Sequence, residues 1–210
     1  MARSSHGLRR RAAWGRMGCM AQTYSTATQP GGEPEVDAAA AVIAGTLQEL
    51  ELEHQQLAPD HFVAELPGTR RLKTTCHLKI SPHSLQVSAF VMRHPDENHE
   101  DLWAYLLTKN ARAYSVSWAI DKVGDVYLMG RLPLAAVTSE EVDRLLGTVL
   151  QMSDDNFNPM LEIGFRTAIA REWKWRTSRG EPTQNLEAFR GLIDQMMRSE
   201  KQPDLDADDA

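Results

Sequence analysis

From Arg71 to Ile80 the chain reads RLKTTCHLKI, and apolar and polar positions alternate strictly. Leu72, Thr74, Cys76, Leu78 and Ile80 fall on one side of an extended chain, and Arg71, Lys73, Thr75, His77 and Lys79 on the other. Successive side chains of a strand point to opposite faces, so this stretch predicts a strand with a dry face and a basic face. Upstream, Val36, Ala39, Ala40, Ile43, Leu47, Leu50 and Leu57 follow a helical period from Glu35 onward, which predicts one helix closed by Pro59. HFVAEL precedes the basic stretch and SLQVSAFVMR follows it, with turns at Pro67–Gly68 and Ser81–Pro82. Short turns between extended segments predict three antiparallel strands.

The loop HPDENHED then breaks the strands. Asp96 or Asn98 suits a helix cap, and Glu97, Glu100 and Asp101 suit the positive end of a helix dipole. The helix carries Leu102, Trp103, Leu106 and Leu107 to about Arg112. Tyr114, Val116, Trp118 and Ile120 alternate, Gly124–Asp125 turns the chain, and Val126, Leu128 and Leu132 alternate back as a second hairpin. Thr138 with Glu141 forms a capping box ahead of Val142, Leu145, Leu146, Val149 and Leu150. Asn158–Pro159 predicts a fresh helix start. That helix runs through Leu161, Phe165, Ile169 and Trp173 to Arg179, and Gly180 stops it. A last helix opens at Thr183 with a narrow stripe of Leu186, Phe189, Ile193 and Met196. The order is helix, three strands, helix, two strands, then helices, which predicts an α+β domain with helices on one face of an antiparallel sheet.

Composition sets the class. With 42% hydrophobic residues in a chain of 210, a sizeable core is expected. No apolar run approaches the ~18 residues of a spanning helix, so no membrane span is expected. The two cysteines, Cys19 and Cys76, occupy unlike contexts, and low cysteine use fits a reducing cytoplasm. Charge is segregated. The leader 1–34 holds five Arg against Glu33; residues 35–58 hold five acids and no Lys or Arg; residues 70–93 hold Arg70, Arg71, Lys73, Lys79 and Arg93 without an acid. The end, 200–210, is acidic. An overall charge of −6 argues against bulk nucleic-acid binding, while leaving room for a local anion site. The leader has no apolar segment after its arginines, which argues against an export signal or lipidation at Cys19. It reads as a disordered tail, and Met17 or Met20 are alternative starts. The expected organisation is a leader over 1–34, a domain over 35–178, an amphipathic helix over 179–199 and an acidic tail over 200–210.

The run LWAYLLTKNARAYSVSWAIDKVGDVYLMGRLPLAAVTSEEVDRLLGTVLQMSDD carries a resemblance. Leu106–Leu107 followed by Asn110, the extended segment ending at Asp121, Gly124–Asp125, Val126–Tyr127, Pro133 and Asp154–Asp155 resemble the YbjN-domain family, particularly its actinobacterial members. The resemblance covers roughly residues 36–178. It implies a fold similar to type III secretion chaperones, which bind protein clients without chemistry, and the label of a sensory transduction regulator. It supplies no catalytic residues.

Other constellations have plain explanations. His94, Asp96, Glu97, His99, Glu100 and Asp101 suit zinc by residue type, but no Cys pair or helical His spacing accompanies them. Asp121, Asp125, Asp154 and Asp155 give no sign of the burial that tunes acid–base groups. Trp173 and Trp175 in WKWR read as a helix end before they read as a base-stacking platform. Phosphate-cradling, dinucleotide and nucleophile-elbow motifs are missing from the sequence. The expected function is a non-catalytic interaction module, chaperone-like or a regulatory adaptor, with no catalytic residue, metal or cofactor. Its expected partner-binding residues are Arg71, Lys73, His77 and Lys79 on the basic strand and Phe189 and Ile193 on the last helix, toward a protein client or a second copy. The alternative is a module that binds an anionic small molecule or nucleic acid through the same basic face.

Overall fold

The computed structural model describes residues 32–201. Residues 1–31 of the leader, with Met17, Cys19 and Met20, and residues 202–210 of the acidic end lie outside the described residues. Helix α1 (Glu33–Glu49) leads into strands β1 (Glu53–Ala58), β2 (His61–Pro67), β3 (Lys73–Ser81) and β4 (Ser84–Met92). Helix α2 (His99–Asn110) precedes the hairpin β5 (Val116–Ile120) and β6 (Val126–Pro133), and helices α3 (Ser139–Gly164), α4 (Arg166–Arg179) and α5 (Arg190–Lys201) follow. The six strands form one antiparallel sheet in the order β1-β2-β3-β4-β6-β5. The α+β class is as the sequence predicts.

Period two decides which face is dry. Phe62, Ala64, Leu66, Cys76, Leu78, Ile80, Leu85, Val87, Ala89, Leu128 and Leu132 are buried on one side, against Ile43 and Leu47 of α1 and Val142, Leu145 and Val149 of α3. The alternate positions of the same strands are half-buried or exposed, so no layer of described residues covers the other face. Burying a side chain such as Leu78 or Ile43 stabilises by about 1.5–3 kcal/mol, so this one-sided core dominates the fold.

Three boundaries differ from the sequence reading. The first helix ends at Glu49, not near Leu57, because Glu51 takes a left-handed turn at φ 53°. EHQQLA then forms β1, an edge strand with no apolar alternation, and Leu57 is exposed rather than on a helical stripe. Four strands therefore precede α2. The second difference is Pro159, which lies inside α3 instead of opening a helix. The break comes at Phe165, and its cause is tertiary. The Gly164 carbonyl accepts the backbone N–H groups of Asp96 and Glu97 at 2.9 and 3.2 Å, and Glu97 accepts the Thr167 N–H at 2.6 Å, capping α4. A Cβ on Gly164 would stand 2.8 Å from Pro95 Cβ, so the close approach requires glycine.

The third concerns the last helix. Leu186 and Phe189 sit on a 3-10 turn (Gln184–Phe189) that feeds α5. Phe189 is 6% exposed and Ile193 1%, buried in the core of their own chain. Arg190 stacks over Trp173 of α4, 4.6 Å from its ring centre. The expectation that Phe189 and Ile193 meet a client or a second copy is corrected: their apolar stripe is already covered by the parent domain.

Candidate functional site

The uncovered sheet face carries an open groove of about 540 Å³. Strand register builds it. His61 pairs with Lys79, Lys79 with Gln86, and Gln86 with Arg131, so these four side chains form one row across β2, β3, β4 and β6. Adjacent strands lie about 4.8 Å apart, so the row spans roughly 14 Å. The next row is Val63, His77, Ser88, Met129 and Ser117, by the same pairings. The His61 and His77 rings meet at 3.2 Å between Nε2 and Nδ1, a hydrogen bond that needs one neutral ring as acceptor. No Asp or Glu lines the groove. Lys79 and Arg131 form no ion pair among the described residues. Two uncompensated cations beside two imidazoles and serine hydroxyls make an anion-attracting concavity.

The structure brings His77 and Lys79 of the basic strand into this groove. His61, Gln86, Ser88, Ser117 and Arg131 join them, and the sequence reading missed these. Their phase in each strand was legible, but their convergence depends on β6 pairing with β4, which no local pattern announces.

Arg71 and Lys73 are not in the groove. Arg71 precedes β3, and its guanidinium turns to the end of β4, where the register shifts between Phe90 and Met92. It donates to the Val91 carbonyl at 2.5 Å and the Phe90 carbonyl at 3.0 Å, and lies 5.3 Å from the Phe157 ring centre. Burial lowers its pKa from the ordinary arginine value. It serves the bulge and is not available for docking. Leu72, expected on the dry face, is 78% exposed because the strand begins only at Lys73. Lys73 is exposed but compensated: its ammonium lies 3.1 Å from the Glu53 carboxylate, and this bond, with the charges of Glu53 and Glu65, raises its pKa. The basic face is therefore basic only at its Lys79 end.

Asp154 organises the loop between β2 and β3. Its Oδ1 accepts the backbone N–H groups of Thr69, Arg70 and Arg71 at 2.8, 2.7 and 2.9 Å. Burial pushes this carboxyl upward, but the three backbone donors and the Arg70 charge outweigh burial and hold it below the usual carboxylate range. Gly68 is required beside it, since a Cβ there would stand 2.4 Å from the Arg71 carbonyl oxygen and 2.6 Å from Asp154 Oδ1. Asp155 pairs with Arg70 at 2.8 Å. Asp121 and Asp125 accept backbone N–H groups at and near the β5–β6 turn. These four carboxylates hold loops in place.

The His94–Asp101 cluster is spent in the same way. Asp96 pairs with Arg93, Glu97 caps α4, and His99 bonds the Pro95 carbonyl. No group of three metal-ligating side chains is assembled among the described residues. Trp173 is buried, and Trp175 is covered in part by Arg179 at 4.8 Å.

Asn110 ties the end of α2 to strand β5. The last residue of α2, it accepts the Trp118 N–H at 2.7 Å and donates to the Trp118 carbonyl at 3.2 Å. Trp118 lies at the centre of the edge strand β5, so one amide side chain takes the place of a neighbouring strand there. Beside it, Trp103, Leu106, Leu107, Trp118, Ala119 and Ile120 line a shallow apolar groove of about 300 Å³. No helix among the described residues is long and apolar enough to cross a membrane.

Comparison with known proteins places the chain. It is 51% identical over 142 residues to an uncharacterised protein of Mycobacterium tuberculosis, covering 68% of this chain and 78% of that one. It is 50% identical over 161 residues to an uncharacterised protein of Mycobacterium leprae, covering 74% and 88%. Among solved structures it is similar to a chain of the ExsC–ExsE complex, with a TM-score of 0.45 and 16% identity over 59% of this chain and 93% of that one. It is also similar to a chain of the complex of the Yersinia pestis type III secretion chaperone SycH with a stable fragment of YscM2, with a TM-score of 0.40 and 15% identity over 55% and 96%. Likeness at that level says nothing about partner or activity. Residues 39–162 match the YbjN family, described as "Putative bacterial sensory transduction regulator". With more than half of its length matched, the chain belongs to the YbjN family.

Proposed function

We propose that the protein is a non-catalytic interaction module, a regulatory adaptor of the YbjN type, that docks an acidic segment of a partner protein on its uncovered sheet face. One observation carries this reading: Lys79 and Arg131 converge with His61 and His77 on a groove with no carboxylate in its lining. A row roughly 14 Å long matches about four residues of an extended segment. Exposed charges of this kind raise association rate and set specificity more than they add affinity. Chemistry has little support in the groove: it holds no Cys, Asp or Glu, and its histidines bond each other and not a serine hydroxyl.

A second reading is favoured by the concavity itself, because about 540 Å³ falls within the range of roughly 300–1,000 Å³ typical of small-molecule sites. An anionic small molecule would use the same cations. A long nucleic acid fits less well, since Glu53 and Glu65 occupy the same face beyond the groove.

Titration with a peptide of four consecutive glutamates between glycines, followed by backbone amide shifts, tests the docking reading. Shifts confined to β2, β3, β4 and β6 on the outer face, abolished in the Lys79→Glu, Arg131→Glu double variant, are expected. Shifts scattered over the helices, or unchanged in the double variant, would overturn it.

A further inference from the structure

The geometry points to a doubly charged phosphoryl group, rather than a carboxylate, as the anion that the Lys79–Arg131 groove receives. This inference rests on the reading of the groove as the docking site and names the chemistry of its contact point. Lys79 and Arg131 flank Gln86 in one row, with backbones two strands, or about 10 Å, apart. Both side chains are long enough to reach a single anion seated over Gln86. Ser88 and Ser117 stand in the adjacent row, and the His61–His77 pair closes the β2 side.

The donor set exceeds what a carboxylate uses. A carboxylate brings one charge and two oxygens, which a single guanidinium satisfies in a bidentate pair, leaving Lys79 without an anion. A phosphate monoester brings about −1.5 to −2 charges at neutral pH and three terminal oxygens. It engages Arg131, Lys79 and a hydroxyl or imidazole together. The face also limits how much anion it accepts. At its Lys73 end, the Glu53 and Glu65 carboxylates neutralise the one remaining lysine of β3. A compact dianion sits between the two free cations without meeting those acids, while a polyanion running along β3 meets them.

The test compares three probes on the full-length chain: a Gly-phosphoserine-Gly peptide, the same peptide with glutamate, and inorganic phosphate. Binding is followed by amide shifts in wild type and in the Lys79→Gln, Arg131→Gln and Lys73→Gln variants. Lys79, Arg131 and Lys73 are exposed, so each variant is expected to keep the wild-type melting temperature. The phosphopeptide is expected to bind at least tenfold tighter than the glutamate peptide. Either groove variant should weaken it at least fivefold, and Lys73→Gln should leave it unchanged. Equal affinity for the two peptides, with both weakened by the groove variants, overturns the phosphoryl assignment and leaves the docking reading standing. Inorganic phosphate binding as tightly as the phosphopeptide supports the phosphoryl chemistry and overturns the protein-partner reading in favour of a small ligand. Binding by none of the three overturns both.

Discussion

Removing the Asp154 carboxylate should be among the most damaging single polar changes in the domain. In Asp154→Ala, the N–H groups of Thr69, Arg70 and Arg71 lose the one oxygen they share, at 2.7–2.9 Å. A hydrogen bond to a charged group contributes about 1.5–3 kcal/mol. The three share one acceptor, and Thr69 and Arg70 are exposed enough for water to replace part of the loss, so the contributions do not add. A net loss of about 3 kcal/mol is expected, which for a domain of this size lowers Tm by roughly 6–12 °C. Urea unfolding at neutral pH measures it. The pH dependence supplies an independent check. The folded-state carboxyl lies below its unfolded value of about 3.9, so its contribution is complete above about pH 5. It is lost as the pH falls through the lower, folded value. Asp154→Asn should therefore flatten the acid side of the stability curve. If Asp154→Ala stays within about 0.5 kcal/mol of wild type, the carboxylate is not what holds the β2–β3 loop.

Asn110→Ala leaves the Trp118 N–H and carbonyl without their partner at the sheet edge, so it should cost about 1–3 kcal/mol and promote strand-edge association, read as concentration-dependent light scattering. Ile193→Asp places a charge where the native side chain is 1% exposed; a melting curve should show a cooperative transition lowered by several degrees at least, and an unchanged Tm would return α5 to the role of a free docking element. Cys76 is fully buried, and burial pushes its thiol up to about 12, so a thiol reagent should modify it only at the rate of unfolding. Rapid labelling of the folded protein would place the dry face of β3 outside.

Much of the sheet was legible because period two and short turns are local signals. β3 is the clearest case: Thr74, Cys76, Leu78 and Ile80 are all buried, as their alternation predicts. β1 was not legible, because EHQQLA is an edge strand made mostly of polar residues, and the left-handed turn after the preceding helix is made by Glu51 and not by a glycine. The α3–α4 break was hidden for a different reason. It depends on the loop at Asp96 and Glu97 taking the Gly164 carbonyl, a contact between residues about 70 apart in sequence. Pro159 was the louder local signal and is only a helix-interior proline. The candidate site was half visible. His77 and Lys79 follow from strand phase, but Arg131 enters only through the β4–β6 pairing. Arg71 shows the converse limit: its phase is right, yet it precedes the strand and bonds the carbonyls of the β4 bulge. The stripe Leu186, Phe189 and Ile193 announces an apolar face that needs cover but not what covers it, so the sequence points to a partner where the parent domain supplies the contact.

Site-specific photo-crosslinking in living cells tests the docking claim most directly. A photoreactive amino acid replaces Met129, which is 51% exposed at the floor of the groove between Ser88 and Ser117. A discrete protein adduct is predicted, lost when Lys79 and Arg131 are both changed to glutamate and kept when Lys73 is changed to glutamine. A protein adduct indifferent to Lys79 and Arg131, or irradiation that yields no protein adduct at Met129 while the same probe at Leu107 on α2 captures one, would contradict the claim.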